Sequence, residues 1–268
     1  MASETTKLVS LDDVISPYIT ACIYGAAGVG KTTLACGSQY LRTFLFDVDK
    51  GTLSLTTSTA SQKLMAAGIP PINKKLVSVW TVNTAEDYLR GLDYLYKHIN
   101  NFDLVVMDTA TELQNIVLSA SMKKGNRVKA NQDDWGASLY FLEELGRNFK
   151  NMGKHSIFLA HEVAVAHNSG RSKYVASFRG QFADGYTKHF SLIMRYLMLE
   201  SEVAGQDGSI KTQLTRCLEC NKGILNDCKD RSAALDPYEY PILDNIIYKI
   251  WTAVTQQAPQ QAPTITTL

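Results

Sequence analysis

The chain has 268 residues, 45% of them hydrophobic and 20% charged, with a formal net charge of +1. One domain with one large core is the default for such a composition, and the near-neutral charge excludes a global pull toward nucleic acid or membrane, so polyanion binding must come from local patches. Met1 to Val9 is polar with no apolar signal core, and nowhere do about 18 uncharged apolar residues run together, so a cytoplasmic protein with no membrane partner is expected.

A first strand is expected at Ile19 to Tyr24 and a helix from about Lys31 to Gln39. Between them, Gly25 to Thr32 reads G-x-x-x-x-G-K-T, the pattern of a phosphate-binding loop. Its glycines let backbone N–H groups converge on phosphate oxygens, and the helix that starts there adds its positive end. Gly25, Ala26, Ala27, Gly28, Val29, Gly30, Lys31, Thr32 and Thr33 therefore form a candidate nucleotide site. Lys31 would bridge the β and γ phosphates, and the Thr32 hydroxyl would ligate Mg²⁺. A triphosphate such as ATP is the expected ligand.

Thr43 to Asp49 and Lys75 to Val82 follow as strands. Thr84, with Asp87 three residues on, offers a helix cap, and Tyr88, Leu92, Leu95 and Ile99 recur at helical spacing. Leu104 to Met107 is apolar on both faces and closes on Asp108, as a parallel strand covered by helices demands. A further helix is expected over about Gly136 to Phe149, and a buried strand over Ser156 to Glu162. Strands alternating with helices indicate an α/β fold with a doubly wound, mostly parallel sheet, whose ligand site lies beyond the carboxyl ends of the strands. "HFSLIMRYLMLE", "TQLTRCLECN" and "GILNDCKDR" look like three later strands, with turns at Gly205 to Gly208 and at Asn221-Lys222-Gly223. Such short connections imply antiparallel strands at the C-terminal edge of the sheet. The division expected is an N-terminal segment over residues 1–18, a core over 19–252 and a disordered Gln/Pro/Thr-rich tail over 253–268.

Five cysteines, Cys22, Cys36, Cys217, Cys220 and Cys228, include one C-x-x-C. A structural zinc site takes four ligands and no second pair is present, so reduced, partly buried thiols are expected.

Three residues at strand ends carry candidate chemistry. Asp108 would hold the Mg²⁺ water shell, the alternative being a cap for the helix that begins near Thr109. Asp49 would orient or deprotonate water beside the γ-phosphate, with Asp47 competing for that role. His161 would sense the γ-phosphate through an N–H donor, or be structural.

Together "GAAGVGKTT", "FLFDVDKG", "LVVMDTATE" and "IFLAHE" resemble the RecA-like P-loop NTPase core, in the compact form of phage-encoded Sak-type recombinases and annealing proteins. The resemblance covers about Ile19 to Trp251. It implies an ATPase in a bacterial host cytoplasm, with the water-activating carboxylate at Asp49 and the γ-phosphate sensor at His161. The chain departs from bacterial RecA in carrying Asp49 for the usual glutamate, histidine for glutamine at 161, and neither RecA's large C-terminal domain nor an evident N-terminal polymerisation domain. Lys229-Asp230-Arg231 is similar to the K-x-R that RecA-core hexameric helicases and KaiC-like ATPases insert into a neighbour's site. That would make Lys229 and Arg231 catalytic in trans, the alternative being a solvated turn.

Two long polar segments match the DNA-facing loops of that family. "SMKKGNRVKANQDDW" carries Lys123, Lys124, Arg127 and Lys129; "HNSGRSKYVASFRGQF" carries Arg171, Lys173 and Arg179 interleaved with Tyr174, Phe178 and Phe182. Cations track a phosphate backbone while rings stack on bases. The expectation is an ATP- and Mg²⁺-dependent homo-oligomer, filament or ring, that binds single-stranded DNA and promotes annealing or strand exchange; a single-strand-binding protein is a further partner this reading admits. The alternatives are a RecA-core motor or regulatory ATPase acting on protein or duplex DNA, a small-molecule kinase, for which no arginine-bearing lid is evident, and a non-catalytic nucleotide-binding module.

Overall fold

The computed structural model describes residues 18–204 and 210–255. In chain order these form β1 (Thr20–Gly25), α1 (Lys31–Ala35), β2 (Thr43–Asp47), α2 (Leu53–Thr56), α3 (Ser58–Ala66), β3 (Val77–Thr81), α4 (Ala85–Lys97), β4 (Leu104–Asp108), α5 (Ala110–Lys124), α6 (Gln132–Asn151), β5 (His155–Ala166), β6 (Ser172–Ala176), α7 (Gln181–Gly185), β7 (Leu192–Ala204), β8 (Ile210–Glu219), β9 (Lys229–Asp230), β10 (Tyr238–Glu239) and α8 (Leu243–Thr255). Of the expected segments, residues 1–17, the turn at Gly205 to Gly208 and residues 256–268 lie outside the described residues.

The sheet runs β10-β8-β7-β1-β5-β4-β2-β3. From β7 to β3 all neighbours are parallel, while β8 pairs antiparallel with β7, and β10 with β8. This is an α/β fold with a mostly parallel sheet and antiparallel strands at its C-terminal edge, as expected; the strand before the phosphate loop and the strand ending in Asp108 are separated by β5. Register brings the strand ends level, with Gly25 beside His161 and both Asp47 and Leu159 beside Asp108.

Each central strand is buried on both faces because helices cover both. Alternate residues feed two cores. Tyr24, Phe46, Met107 and Phe158 pack with residues of α4, α5 and α6, while Ile23, Leu45, Val106 and Leu159 pack with residues of α1 and α8. The Thr84 capping box is present, its hydroxyl accepting from Asp87 N and the Asp87 carboxylate accepting from Thr84 N. All five cysteines are buried free thiols. Burial pushes the thiols of Cys22 and Cys36 far up, so these are packing residues and not nucleophiles.

Several boundaries differ from expectation. α1 stops at Ala35, not near Gln39, because the chain turns at Gly37 and is pinned there, Asp244 of α8 accepting from Ser38 Oγ and Gln39 N. α6 begins at Gln132, since Asn131 and Asp134 form a second reciprocal cap ahead of Gly136. The "GILNDCKDR" strand shrinks to the two residues of β9: Asn226 Oδ1 accepts from Gly223 N and Cys228 N, curling the preceding residues into a turn. α8 continues to Thr255, so residues 253–255, expected in the tail, are helical. Among the described residues no helix is long and apolar enough to cross a membrane.

Candidate nucleotide site

The phosphate loop is built by three backbone facts. Gly28 and Gly30 have φ of 76° and 112°, values that a side chain disfavours. Gly25 has another reason to be glycine: a Cβ there would lie 2.3 Å from the Tyr196 carbonyl oxygen of β7. Val29, buried beneath the loop, pins it to the core, while Ala26 and Ala27 form its exposed shoulder. The loop ends where α1 begins, so Lys31, Thr32 and Thr33 occupy its first turn.

These residues wall a cavity of ≈ 350 Å³ together with Asp49, Gly51, Asp108 and His161. The Lys31 ammonium is buried and donates to the carbonyls of Gly25 and Ala26, each at 2.9 Å. Burial lowers its pKa, and Asp108, Asp49 and Glu162 oppose that. Thr32 Oγ1 donates to Asp108 Oδ2 at 2.6 Å. Burial, with Asp49 and Asp47 nearby, raises Asp108 to about 6, against the Thr32 hydrogen bond and Lys31. The cap of α5 is Thr109, whose side chain accepts from Glu112 N, so Asp108 is not the cap and faces Thr32 instead. The Asp108–Thr109 peptide is cis.

The hard oxygens of Thr32 and Asp108 fit a Mg²⁺ site. Gly51 supports the fit: a Cβ there would stand 3.2 Å from Thr32 Oγ1 and 3.4 Å from Asp108 Oδ2, crowding an incoming ion. The ion would supply charge neutralisation of the phosphate oxygens.

Asp47 and Asp49 separate cleanly. Asp47 is buried and accepts from Gly51 N at 3.1 Å and Thr52 Oγ1 at 3.2 Å, so it ties down the turn after β2. Asp49 is exposed, lines the cavity, and lies with Oδ2 3.6 Å from His161 Nε2. His161 also lines the cavity, its backbone N–H held by Thr111 Oγ1 of α5. Lys31, Thr32, Asp49, Asp108 and His161 are thus brought together around one space, and Asp47 supports its wall.

The chain matches the AAA domain family over residues 18–232. It belongs to that family. A KaiC-like protein from the hyperthermophilic archaeon Pyrococcus horikoshii is a similar solved structure, at 11% identity over 75% of this chain and 84% of that one, with a TM-score of 0.39. No protein of curated function matches. The family match makes the chain a P-loop ATPase of the AAA domain family, and its sheet order and site geometry agree with that placing.

Lys229 and Arg231 are not part of this AAA domain's own nucleotide site. β9 pairs with Leu192 and Ile193 at the start of β7, ahead of Tyr196, which neighbours Gly25, and neither cation lines the cavity. Lys229 Nζ donates to the carbonyls of Thr187 and Phe190, and Arg231 is exposed.

The two segments expected as loops are largely ordered elements. Lys123 and Lys124 lie in the last turn of α5, leaving only 125–131 as loop. Lys123, Lys124 and Lys129 are exposed. Arg127 is committed to Asp134, whose fully buried carboxylate also accepts from Ser121 and is held well below the usual carboxylate range by these partners. The second segment is a hairpin: β5 continues to Ala166 and β6 returns antiparallel to it. Arg171 sits exposed at its turn, next to Gly170 with φ of 76°. Lys173 pairs with Asp227 at 2.5 Å, and the Tyr174 ring is covered by the Arg195 guanidinium, 3.8 Å from its centroid. Arg179 is exposed, its backbone clamped by both ends of the Gln114 side-chain amide.

Phe178 and Phe182 are corrections. Both are buried, pack edge to face on each other, and belong to the core with Tyr186. Alternating cations and rings read as a stacking loop, but the rings take the inward side of the chain. Phe178→Ala is accordingly expected to lower stability by about 3–5 kcal/mol, the usual cost of emptying a buried phenylalanine site. Denaturant melts would measure this; a variant of wild-type stability with impaired nucleic-acid binding would return the ring to the ligand surface.

Sequence reasoning missed Tyr196, Arg216, Gly51 and Gln114. Arg216 on β8 donates from Nε to the Val29 carbonyl at 3.0 Å, and Tyr196 sits beneath Gly30, where a Cβ would meet its hydroxyl at 3.4 Å. Only the sheet order brings these strands beside the loop; in sequence they lie far downstream of it, with no motif.

Proposed function

We propose that the protein is a Mg²⁺-dependent ATPase that binds single-stranded DNA and promotes annealing or strand exchange as a homo-oligomer. The convergence of Lys31, the Thr32–Asp108 pair and the Asp49–His161 pair on one cavity carries the reading. In it, Lys31 turns from the loop carbonyls to the phosphates, and Asp49 orients the attacking water as general base. In the same reading His161, which lines the cavity, registers loss of the γ-phosphate. It lies on the strand that continues into the β5–β6 hairpin, so a nucleotide-dependent shift there would move the hairpin.

What supports DNA as the ligand is exposed cation placement: Arg171 at the hairpin turn, Arg179 just after it, and Lys123, Lys124 and Lys129 on the neighbouring helix end and loop. Arg231 is exposed beside Ser191 at the start of β7 and does not line the cavity, so in this reading it acts only on a neighbour's site, which is why an oligomer is part of the proposal. Because the rings are internal, binding should be electrostatic tracking and not stacking. The experiment is anisotropy with labelled single-stranded DNA across a salt series, alongside ATPase rates with and without DNA at several protein concentrations. Removing one cation that touches a phosphate should reduce the salt slope by about 0.7. Arg171→Gln and Arg179→Gln should each do so, whereas Lys173→Gln, already paired with Asp227, should not. Absence of binding by the wild-type protein at low salt would leave a RecA-core motor or regulatory ATPase acting on protein or duplex DNA.

A further inference from the structure

α8 carries more apolar surface than the core beneath it takes up. Leu243, Ile246 and Ile250 are buried, whereas Ile247, Tyr248 and Trp251 line a groove of ≈ 310 Å³, together with Asp244 and with Tyr40 and Leu41 of the turn after α1. Its three rings stand open: Tyr40 is 79% exposed, Tyr248 67% and Trp251 50%. We propose that this groove is a docking site for a proline-containing segment, and that its occupant is residues 256–268 of the same chain.

The groove has fixed walls. Asp244 accepts from Ser38 Oγ and Gln39 N, and Ser38 Oγ in turn accepts from Tyr40 N and Leu41 N. The turn that carries Tyr40 is therefore held against α8 while its ring is left in solvent. Asp244, Ile247, Tyr248 and Trp251 recur at i, i+3, i+4 and i+7, so they form one stripe about 10 Å long on a helix rising about 1.5 Å per residue. A rigid aromatic stripe is the surface onto which proline-rich chains pack, because a polyproline II segment has little conformational entropy left to lose.

Charge selects the occupant. Among the described residues that line the groove, Asp244 alone is charged, and both its oxygens already accept hydrogen bonds, so an uncharged segment is the one it suits. Residues 1–17 carry Glu4, Lys7, Asp12 and Asp13, whereas residues 256–268, QQAPQQAPTITTL, carry no charge and repeat Gln-Gln-Ala-Pro. Pro259 and Pro263 lie four residues apart, about 12 Å in a polyproline II chain at about 3.1 Å per residue, which matches the stripe. Reach agrees as well. α8 ends at Thr255, one turn beyond Trp251, and Pro259 disfavours further helix at Ala258. Reversal over Gln256 to Ala258 sets Pro259 against Trp251 and Pro263 toward Tyr40. So short a tether gives the segment an effective concentration of about millimolar, and its own groove fills ahead of a neighbour's.

The test is electron paramagnetic resonance of the full chain with a nitroxide on Thr264→Cys; the five native thiols are buried, so the label goes to the new one. Docking should broaden the spectrum to that of a slowed label. Tyr40→Ala/Tyr248→Ala, at exposed positions, and Pro259→Ser/Pro263→Ser should each restore the sharp lines of an undocked label, with unchanged thermal melts as the check on folding. The broadened fraction should stay constant as the labelled protein is diluted. A sharp spectrum in the otherwise wild-type chain overturns the proposal, and so does slowing that survives either double variant. Slowing that is lost on dilution also overturns it, since the groove being filled is then a neighbour's.

Discussion

Replacing Lys31 by alanine is expected to weaken Mg·ATP binding by about two to four orders of magnitude while leaving the protein folded. Two charge-assisted hydrogen bonds, one to each of two phosphates, are worth about 1.5–3 kcal/mol apiece. Their sum sets the range. Backbone N–H groups of the loop cannot substitute, because they are dipoles fixed by Gly28 and Gly30 and carry no net charge. The fold should survive, since the substitution removes a buried cation whose desolvation is already unfavourable, as the lowered Lys31 pKa records. Its local cost is confined to the carbonyls of Gly25 and Ala26, which lose a donor. Lys31→Arg should not rescue: a planar fork does not fit a pocket shaped for a point charge. Calorimetric titration with Mg·ATP, and a thermal melt of each variant, would decide; retained affinity in Lys31→Ala would remove the P-loop assignment.

The phosphate loop, the Asp108 strand and His161 are legible in the sequence because each obeys a local rule. A strand buried on both faces reads as an unbroken apolar run, and its end is marked by the first polar residue, as in Leu104 to Asp108. Helix caps are legible where donor and acceptor sit three residues apart, as in the Thr84–Asp87 box. Asn131–Asp134 obeys the same rule but is masked by basic residues nearby, which suggest a loop. The hairpin is hidden for a related reason. Val163, Ala164, Val165 and Ala166 pair with Ser172 to Val175 in register, but lysine and serine on the returning strand obscure its alternation. Ring direction is beyond the reach of sequence, since Phe178 turns inward onto Phe182 and Tyr186, contacts that only the fold reveals. The contrast between Asp47 and Asp49 also needs coordinates: two carboxylates two residues apart differ in surroundings, one meeting Gly51 N and Thr52 Oγ1 and the other solvent and His161. Arg216 and Tyr196 belong to the site through strand order alone.

That separation of the two carboxylates predicts a split among three variants. Asp49→Asn keeps the shape of the side chain and removes its basicity, so Mg·ATP should bind as before while turnover falls by about 10²–10⁴, the usual contribution of a positioned base. Asp108→Asn should instead raise the Mg²⁺ concentration needed for half-maximal rate, since an amide offers the ion one neutral oxygen where a carboxylate offers charge, and Thr32 alone remains beside it. Asp47→Asn should act mainly on stability: one oxygen still accepts from Gly51 N or Thr52 Oγ1, but the second hydrogen bond falls to an NH₂ group that cannot accept. Turnover measured over a Mg²⁺ series, with a melt for each variant, distinguishes the three. The decisive comparison is between positions 49 and 47. A large turnover loss with normal ATP affinity at 49, and a lowered melting temperature with residual turnover at 47, places the water-orienting group on the exposed carboxylate beside His161. Normal turnover in Asp49→Asn would mean that the buried carboxylate, or a group donated by a neighbouring subunit, performs that step, and that the 3.6 Å approach of Asp49 to His161 serves only to hold the histidine ring.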